Sequence, residues 1–529
     1  MRGLPRRGEL LVEVSRATGE PVRDQLRRQL IEAMDSGRLA PGDRLPPSRH
    51  LAADLRVSRG TVVEVYDQLR HEGYLESRRG SGTLVAERTP EHPRREGPPT
   101  TWVPVVPDEE PLLDLRPGAP DLAAFPRAAW SSATRHVLRV MPDRDLGYVP
   151  PWGSAVLRTQ LAGHLSRTRA TAAGPDDVVV TSGVTQALTL TCRVLGELGH
   201  RALAVEDPSN AIQRRVLGRH VPEVLDVPVD DEGLDVAALQ RSGARAVLVT
   251  PAHQHPTGVV LSPRRRAALV EWADRVDGWV VEDDYDAEFR FGRLAAPSLQ
   301  GVAPHRVVHV GSVSKTLAPG LRLGWLLAPP AVRAALVGAK RDDDFGTSVL
   351  TQHALAHLLS TGSYDRHLRR LRLRYRGQRR ALVEALDRHL PAWRVRGAEA
   401  GLHFCVMAPE GVDEVAVVDA AAERGLLVLD LGRLRSAAGP PGLVLGFARI
   451  REHQADLAAR RLCDAVAAAA ARPRGGASPR PLPLPDQDSA RRLGTTALDY
   501  FPPGSDPAGT LEGGDGASAP GIRLPGGRS

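Results

Sequence analysis

The strongest constraint on the fold is a regular alternation of short apolar runs with helical stretches, which extends from about Leu112 to Arg472. Such alternation is typical of a parallel sheet that is covered by helices on both faces. We therefore predict an α/β unit in which ligands bind beyond the carboxyl ends of the strands. The candidate strands are Val178 to Thr181, Ala202 to Val205, Ala246 to Thr250, Trp279 to Val281, Val307 to Val310 and Leu323 to Leu327.

Two stretches have a composition that disfavours a packed core, and they separate the chain into domains. Residues 87–111 are rich in proline and charge and predict an extended linker. Residues 473–529 consist mainly of Pro, Gly, Ser, Asp and Arg, which bury too little apolar surface to fold, and we expect a disordered tail. The predicted domains are therefore residues 20–86 and residues 112–472.

Composition excludes few functions. A net charge of +7 on 529 residues permits nucleic-acid binding without establishing it. The longest apolar run, Ala465 to Ala471, is too short for a membrane span, and the N-terminal residues lack the apolar core of a signal peptide. We expect a cytoplasmic protein with no membrane segment. The three cysteines, Cys192, Cys405 and Cys463, are too few and scattered for a disulfide framework or a metal site, so we expect core residues and no bound metal.

Residues 20–86 have the pattern of a small winged helix. Val22, Leu26, Leu30 and Ala33 predict one face of a first helix, and a second short helix is predicted from Arg49 to Leu55. Ser58 can cap a third helix, whose apolar face comprises Val62, Val65, Tyr66 and Leu69. Two short strands, Tyr74 to Ser77 and Thr83 to Ala86, flank a turn that contains Arg78, Arg79 and Gly80. This turn is a basic hairpin tip.

Lysine is almost absent from the chain. Only Lys315 and Lys340 occur, while arginine is abundant. A guanidinium can replace an ammonium at most solvated sites, but it cannot form a Schiff base with an aldehyde. Lys315 lies among Ser312, Ser314, Gly320 and Arg322, which supply hydroxyls, close backbone approach and a fork for a phosphate. A surface role is the ordinary alternative for a lysine, but these neighbours favour covalent carbonyl chemistry.

Two further segments carry site-like residues at predicted strand ends. Gly183, Val184 and Thr185 form a turn into a helix, whose free N–H groups can hold a phosphate. After Val281 come Asp283 and Tyr285, a carboxylate and a phenol that can hydrogen-bond a pyridine nitrogen and a ring oxygen. Each segment alone is weak evidence, because many helices begin this way and acidic loops are common.

The N-terminal motifs resemble the GntR-type DNA-binding domain. The matching motifs are Pro41 to Arg49, Val57 to Val62, Glu72 to Leu75 and Gly80 to Thr83. The resemblance implies that Arg49, Ser58, Arg59 and Thr61 approach the major groove or its phosphates, and that Arg79 and Gly80 belong to the wing. The implied partner is a double-stranded DNA operator.

The larger segment resembles fold-type I aminotransferases, which depend on pyridoxal 5'-phosphate (PLP) and have a mainly parallel sheet with a smaller C-terminal α+β subdomain. The resemblance implies that Lys315 forms the Schiff base, Asp283 pairs with the pyridinium, and Tyr285 bonds the ring oxygen. It also implies that Ser312 and Arg322 hold the phosphate. Together, the two resemblances match the MocR/GabR family of PLP-dependent transcriptional regulators. Since fold-type I sites are usually shared between subunits, a homodimer is expected.

Three positions depart from the aminotransferase pattern. His255 replaces the asparagine before Pro-Thr-Gly that usually bonds the ring oxygen. Asn210 replaces the aromatic residue that usually stacks on the cofactor, so the stacking is either weakened or supplied by another residue. Val444 replaces the arginine that usually clamps the substrate carboxylate, and an aliphatic side chain cannot make that ion pair. Arg449 is close enough in sequence to be a substitute.

These observations predict a PLP-binding regulator that couples the cofactor, or an amine or amino-acid effector, to operator binding. Two alternatives stay open. One is an active aminotransferase with a DNA-binding appendage, which Val444 and Asn210 disfavour. The other is a DNA-binding protein whose large domain has lost the cofactor, which Lys315, Asp283 and Arg322 disfavour.

Overall fold

The computed structural model describes residues 12–15, 20–78, 82–87, 113–292 and 297–471. They fall in two compact units, one up to residue 87 and one from residue 113. The predicted tail 473–529, residues 88–111 of the predicted linker, and Arg79 and Gly80 of the predicted wing lie outside the described residues. In the described part of the chain, no helix is both long and apolar enough to cross a membrane.

The first unit has three helices and a two-stranded antiparallel sheet. Its elements are α1 (Val22–Asp35), α2 (Ser48–Asp54), α3 (Arg59–His71), β1 (Leu75–Arg78) and β2 (Gly82–Val85). The predicted apolar face of α3 is buried in full, whereas in α1 Leu26, Leu30 and Ala33 are buried and Val22 is only half-buried. Ser58 caps α3 by accepting a 3.1 Å hydrogen bond from the Thr61 N–H. Its core thus follows the helical period of the sequence.

The second unit contains the remaining elements. The helices are α4 (Arg127–Val140), α5 (Ala155–Arg169), α6 (Val184–Glu197), α7 (Ala211–Leu217), α8 (Val236–Ser242), α9 (Pro263–Arg275), α10 (Leu299–Val302), α11 (Pro330–Asp344), α12 (Val349–Ser360), α13 (Ser363–His389), α14 (Glu414–Ala422) and α15 (Ala455–Ala471). The strands are β3 (Leu113–Asp114), β4 (Val178–Thr181), β5 (Ala202–Asp207), β6 (Glu223–Asp230), β7 (Gly233–Leu234), β8 (Ala246–Val249), β9 (Trp279–Asp283), β10 (Val307–Ser312), β11 (Gly324–Leu327), β12 (Arg394–Arg396), β13 (His403–Met407), β14 (Leu426–Leu427), β15 (Leu429–Asp430) and β16 (Gly442–Gly446).

The main sheet has the strand order β4-β11-β10-β9-β8-β5-β6-β7. It is mostly parallel, as predicted; β11 runs antiparallel to both of its neighbours, and β7 runs antiparallel to β6. Alternate residues of β8 face opposite sides: Ala246 and Leu248 pack in one core with α6 and α11, while Val247 and Val249 pack in another with α8 and α9. Helices therefore cover both faces, and β4, β9 and β10 end at one edge.

A smaller C-terminal part completes the second unit. Its antiparallel sheet has the order β12-β13-β16-β15 and packs in one apolar core with α13, α14 and α15. Cys192 and Cys405 are buried as expected, and Cys463 is partly buried; all three thiols are free. In this α+β part His403 begins β13 and Val444 lies in β16.

Candidate functional site

The edge formed by β4, β10 and β11 contains a cradle for an anion. Helix α6 begins after Gly183, whose φ of +108° is reserved for glycine, and no side chain caps its N-terminus. A Cβ added to Gly183 would lie 3.2 Å from Nη2 of Arg322, so the guanidinium lies against the helix start. Ser312 ends β10 at the same edge, because it pairs with Gly324, which also pairs with Thr181.

The cradle has unused donors. Within the described part of the chain, the exposed guanidinium of Arg322 has neither a hydrogen-bond nor an ion-pair partner. Val184 and Thr185 open the helix with backbone N–H groups that point out of its N-terminus. Because helix N-termini and arginine forks both favour phosphate oxygens, this arrangement can hold a phosphate dianion.

Asp283, at the end of β9, is a buried carboxylate that is only half satisfied. Its Oδ2 accepts a 2.7 Å hydrogen bond from Nε2 of Gln213, while its Oδ1 has no partner in the described structure. Burial raises the pKa of Asp283 to about 6, although the Gln213 hydrogen bond works in the opposite direction. Oδ1 is therefore free to accept a hydrogen bond from a protonated ring nitrogen.

Lys315 follows β10 and is half-buried, with its Nζ donating to the carbonyl oxygen of Gly118. Burial lowers the pKa of the Lys315 amine, and the negative charges of Asp286 and Asp283 partly offset this effect. A lowered pKa increases the fraction of free amine, which is the nucleophilic form. The surroundings thus suit attack on a carbonyl carbon.

Tyr285 belongs to a hydrogen-bonded group that sequence reasoning did not detect. Its phenol donates to the carbonyl oxygen of His253 at 3.0 Å and lies 3.1 Å from His253 Nδ1. The same Nδ1 lies 3.0 Å from Oδ2 of the buried Asp286. Burial raises the pKa of Tyr285 well above its usual value, and the charge of Asp286 adds to this effect. The phenol therefore keeps its proton and is a hydrogen-bond donor.

Three imidazoles meet beside Tyr285. The ring centroids of His253 and His403 are 4.9 Å apart, and those of His255 and His403 are 5.1 Å apart. Burial lowers the pKa of His255 to about 4 and that of His403 well below its usual value, so both are neutral at physiological pH. His253, Asp286 and His403 also place one possible metal-ligand atom each within 4.8 Å of one another. Hydrogen bonds join His253 to Tyr285 and to Asp286, whereas His255 and His403 contact this group through their rings. We therefore interpret His253, Tyr285 and Asp286 as a hydrogen-bonded group.

The positions that depart from the aminotransferase pattern have other tasks in this structure. Oδ1 of Asn210 accepts hydrogen bonds from the N–H groups of Ile212 and Gln213, so Asn210 caps α7. Val444 is fully buried in an apolar cluster with Cys405, Leu431 and Leu434. Nη1 of Arg449 lies 2.6 Å from Oδ2 of Asp114, which also pairs with Arg116. The guanidinium of Arg449 is therefore already engaged by a carboxylate.

The structure gathers most of the predicted site residues at one edge of the sheet. Gly183, Val184, Thr185, Ser312 and Arg322 form the cradle, and Lys315, Asp283, Tyr285 and His255 surround the buried centre. Sequence reasoning missed Gln213, His253, Asp286 and His403. His253 precedes the predicted His255 by two residues, and Asp286 directly follows the predicted Tyr285, so their closeness in sequence could have identified both. His403 is more than a hundred residues away in sequence and gives no such indication.

In the first unit, the residues expected to meet DNA lie at or near helix starts. Arg49 is at the beginning of α2 and Arg59 at the beginning of α3, and both are exposed. The hydroxyls of Ser58 and Thr61 lie 2.8 Å apart, where they order the first turn of α3. Arg79 and Gly80 are outside the described residues.

Some arginines of this unit are paired with carboxylates and others are not. Arg23, Arg27, Arg28 and Arg70 form ion pairs with neighbouring carboxylates. Arg44, Arg49 and Arg59 are exposed, and none has an ion-pair partner among the residues that the structure describes. Arg44, which the sequence reasoning did not select, forms a bridge with Leu84, and its guanidinium lies against Gly82 of β2. Unpaired guanidinium groups can bind phosphates and base edges.

Comparison with protein families gives two matches. Residues 22–85 match the family described as bacterial regulatory proteins, gntR family, and residues 111–456 match aminotransferase class I and II. Together these matches cover both units.

Several curated proteins share the arrangement along most of their length. The chain is 35% identical to the HTH-type pyridoxine biosynthesis transcriptional regulator PdxR of Corynebacterium glutamicum, over 84% of this chain and 95% of that protein. It is 31% identical to the probable rhizopine catabolism regulatory protein MocR of Rhizobium meliloti, over 83% and 92%. It is 34% identical to the HTH-type transcriptional regulator TauR of Rhodobacter capsulatus, over 80% and 95%.

Solved structures resemble the second unit. LysN, the α-aminoadipate aminotransferase of Thermus thermophilus, has a TM-score of 0.61 at 28% identity, over 68% of this chain and 93% of that one. The kynurenine aminotransferase of Pyrococcus horikoshii has a TM-score of 0.62 at 26% identity, over 68% and 91%.

Proposed function

The chain belongs to the MocR-type family of regulators, in which a gntR-family domain precedes an aminotransferase class I and II domain, and from this premise we propose a PLP-responsive transcriptional regulator. In this proposal the unit at residues 20–86 binds a double-stranded DNA operator, and the unit at residues 112–472 binds PLP covalently through Lys315. Binding of PLP or of an amine effector then changes operator affinity.

The side chains at the sheet edge fit this cofactor. The uncapped start of α6 and the unpaired Arg322 match a phosphate. The unpartnered Oδ1 of Asp283 matches a protonated pyridine nitrogen, and this buried orphan oxygen is the single observation that carries the proposal. Asp284, the next residue, is by contrast paired with Arg169.

When bound, PLP supplies an aldehyde that captures amines and a pyridine ring that withdraws electrons. The protein supplies the rest. Asp283 keeps a proton on the ring nitrogen, Lys315 provides the amine, and the Tyr285 phenol can turn from the His253 carbonyl to a ring oxygen. Ser312 and Arg322 hold the phosphate, so that the reacting groups stay aligned.

The proposal includes only slow transamination of ordinary α-amino acids. The position of the carboxylate clamp is filled by Val444 within an apolar cluster, and Arg449 is engaged by Asp114. Without a clamp, an α-amino acid loses ~1.5–3 kcal/mol of charge-assisted binding and its orientation over Lys315. The second candidate, a working aminotransferase, is favoured by the complete set of Lys315, Asp283 and Tyr285 and by the aminotransferases among the similar structures.

The relatives suggest effectors to test. One is described as a regulator of pyridoxine biosynthesis and another as a regulator of rhizopine catabolism. The first makes PLP itself the leading effector for this chain, because the cofactor site would then also be the sensor. An amine or amino-acid effector is the alternative for this chain, and a titration of both classes separates them.

Exposed apolar residues support a homodimer. Tyr148 is 97% exposed and Phe345 is 67% exposed, and their ring centroids are 6.5 Å apart. Leu146 and Trp152 are exposed beside Tyr148 in sequence. A cluster of exposed aromatic side chains of this kind is typical of a surface that is covered in an assembly.

A spectroscopic experiment tests the cofactor proposal. The purified protein is supplied with PLP, its visible absorption is recorded, and borohydride reduction is followed by peptide mass spectrometry. We expect an adduct on Lys315 and none on Lys340, whose ammonium is held by Asp344. Absence of both the visible band and the adduct would overturn the proposal.

Mobility-shift titrations test the coupling. The full-length protein is titrated onto its own upstream DNA with and without PLP, and Lys315→Ala serves as the unresponsive control. A change in DNA affinity that Lys315→Ala abolishes supports the proposal, while identical affinities in every arm contradict it.

A further inference from the structure

Lys340 is the second of the two lysines in the chain, and its side chain is fully buried. Its Nζ contacts both carboxylate oxygens of Asp344, Oδ1 at 2.5 Å and Oδ2 at 2.6 Å, and the hydroxyl of Thr347 at 3.1 Å. Every donor of the ammonium therefore has an acceptor. A planar guanidinium has more donors than this site has acceptors, which explains a lysine here in a chain that otherwise uses arginine.

Asp344 connects Lys340 to the phosphate cradle. Its Oδ2 accepts a 2.8 Å hydrogen bond from Nε2 of Gln186, which lies in the first turn of α6. The hydroxyl of Ser182 lies 3.5 Å from the same oxygen. Oε1 of Gln186 accepts a 2.8 Å hydrogen bond from the N–H of Ser182, the residue before Gly183. The carboxylate of Asp344 therefore lies against the turn that opens the cradle.

This carboxylate would oppose the binding of an anion. Burial acts to raise the pKa of Asp344, but hydrogen bonds from Lys340 and Gln186 lower it below its usual value, so Asp344 is negatively charged at neutral pH. Asp343 also accepts a 2.5 Å hydrogen bond from Nε2 of Gln186, but Asp343 is exposed, and water screens its charge. A negative charge beside a phosphate site repels a dianion unless a cation compensates it.

We propose that Lys340 keeps the cradle receptive to phosphate by neutralising Asp344 and holding this carboxylate against Gln186. Because all its donors are used, Lys340 is a positioning residue and not a phosphate ligand. Loss of its ammonium would leave an uncompensated carboxylate beside the start of α6, which disfavours a phosphate more than an uncharged group. The inference rests on the proposed function for the identity of the phosphorylated ligand.

The first measurement uses inorganic phosphate and the full-length protein without PLP, so that failure of covalent PLP binding cannot be mistaken for failure of this inference. Phosphorus NMR at low ionic strength follows the titration, and Arg322→Ala identifies the binding that belongs to the cradle. Lys340→Met should weaken this binding ~5- to 30-fold. Arg341→Met removes an exposed cation of the same helix, already paired with Asp342, and should change it less than ~2-fold.

A double variant, Lys340→Met with Asp344→Asn, removes both charges and should bring the phosphate affinity back to within ~3-fold of the wild type. The second measurement compares ligands: Lys340→Met should weaken the binding of PLP and leave that of pyridoxal unchanged, whereas general damage to the fold would weaken both. Circular dichroism checks that each variant is folded, and Lys340→Gln takes the place of Lys340→Met if the latter does not fold.

The outcomes separate this inference from the proposed function. Absence of Arg322-dependent phosphate binding, equal phosphate affinity in the wild type and Lys340→Met, or no recovery in the double variant would each overturn the inference. Equal losses for PLP and pyridoxal would do the same. If phosphate binding depends on Lys340 as expected but PLP forms no adduct on Lys315, the inference stands and the proposed function fails.

Discussion

Gln213 donates a 2.7 Å hydrogen bond to one oxygen of Asp283 and leaves the other oxygen of this buried carboxylate without a partner in the described structure. The amide fixes the orientation of the carboxylate and defines which oxygen is available to a ligand. Gln213 is itself placed by the cap of α7, because Asn210 accepts a hydrogen bond from its backbone N–H. The desolvation of this carboxylate is therefore fully compensated only when a ligand binds to the second oxygen.

Asp283→Asn should stabilise the cofactor-free protein and weaken its binding of PLP. Burial raises the pKa of Asp283 from 3.8 to about 6. The protonated carboxyl therefore stabilises the folded state. This contribution is complete at pH values below 3.8, the pKa in the unfolded chain, and it is lost as pH rises through about 6. Removing the charge should raise the free energy of unfolding by ~1–3 kcal/mol above that pH, with the gain vanishing towards pH 4. Urea titrations at several pH values check this. A stability gain that is independent of pH would contradict it.

Arg322→Ala should weaken binding of PLP but not of pyridoxal, which lacks the phosphate. The guanidinium is exposed and free of protein partners in the described structure, so its removal should not disturb the fold. The expected loss is ~1.5–3 kcal/mol of affinity, as for a charge-assisted hydrogen bond. Arg341→Ala removes an exposed arginine elsewhere and is the control. Equal losses for both compounds would place Arg322 outside the phosphate site.

Arg59→Ala should weaken binding to the specific operator more than binding to random DNA. A base-edge contact contributes ~1–3 kcal/mol of discrimination, whereas a phosphate contact mainly changes the dependence on salt. Arg70→Ala, at the other end of α3, removes an equal charge that is already paired with Asp67. Fluorescence anisotropy at several salt concentrations checks both variants. Equal losses on the two DNAs would assign Arg59 to backbone contacts.

The PLP-loaded protein should form keto acids from α-amino acids only slowly. Val444 lies in an apolar cluster, so no guanidinium is available at that position to orient the carboxylate. Keto-acid formation from a panel of amino acids is measured against a known aminotransferase. Val444→Arg would bury a charge among Cys405, Leu431 and Leu434, and we expect it to lower stability and not to create a clamp. Rapid multiple turnover by the unmodified protein would favour the enzyme alternative.

Tyr148→Asp should weaken self-association. Tyr148 and Phe345 are exposed neighbours, and a carboxylate placed there would have to be desolvated in an interface. Val302→Asp, at another exposed apolar residue, is the control. Sedimentation equilibrium of the three proteins measures the effect. A wild-type protein that is monomeric at high concentration would remove the basis for the homodimer.

The pattern of apolar residues predicts six of the eight strands of the main sheet, but not β6, β7 or every contact at the site. Val62, Val65, Tyr66 and Leu69 were assigned to one buried helix face, and the structure confirms it. The strand at Val178–Thr181 has the predicted bounds. These features depend on neighbours in sequence. By contrast, His403 contacts His253 only because β13 of the smaller sheet begins near the edge of the main sheet. No local sequence pattern predicts this contact.

The role of Asn210 shows a further limit of sequence reasoning. Its position in the motif identified a missing aromatic residue, but not what the asparagine does instead. A side-chain amide can cap a helix and an aromatic ring cannot, so the replacement changes a cofactor contact into a local backbone interaction. The same holds for Arg449, whose partner Asp114 lies more than three hundred residues earlier in the chain.

The cap formed by Asn210 affects how long a bound cofactor would stay in the site. A cofactor that is sandwiched by an aromatic ring dissociates slowly, and an enzyme gains from such long residence. A sensor must instead exchange its ligand within the period over which the cell's supply changes. Asn210 uses its amide to cap α7 and offers no aromatic face to a cofactor bound as proposed, so we expect faster release and capture than in a stacked site. In the proposed regulator, occupancy of the site would then follow the current concentration of the ligand.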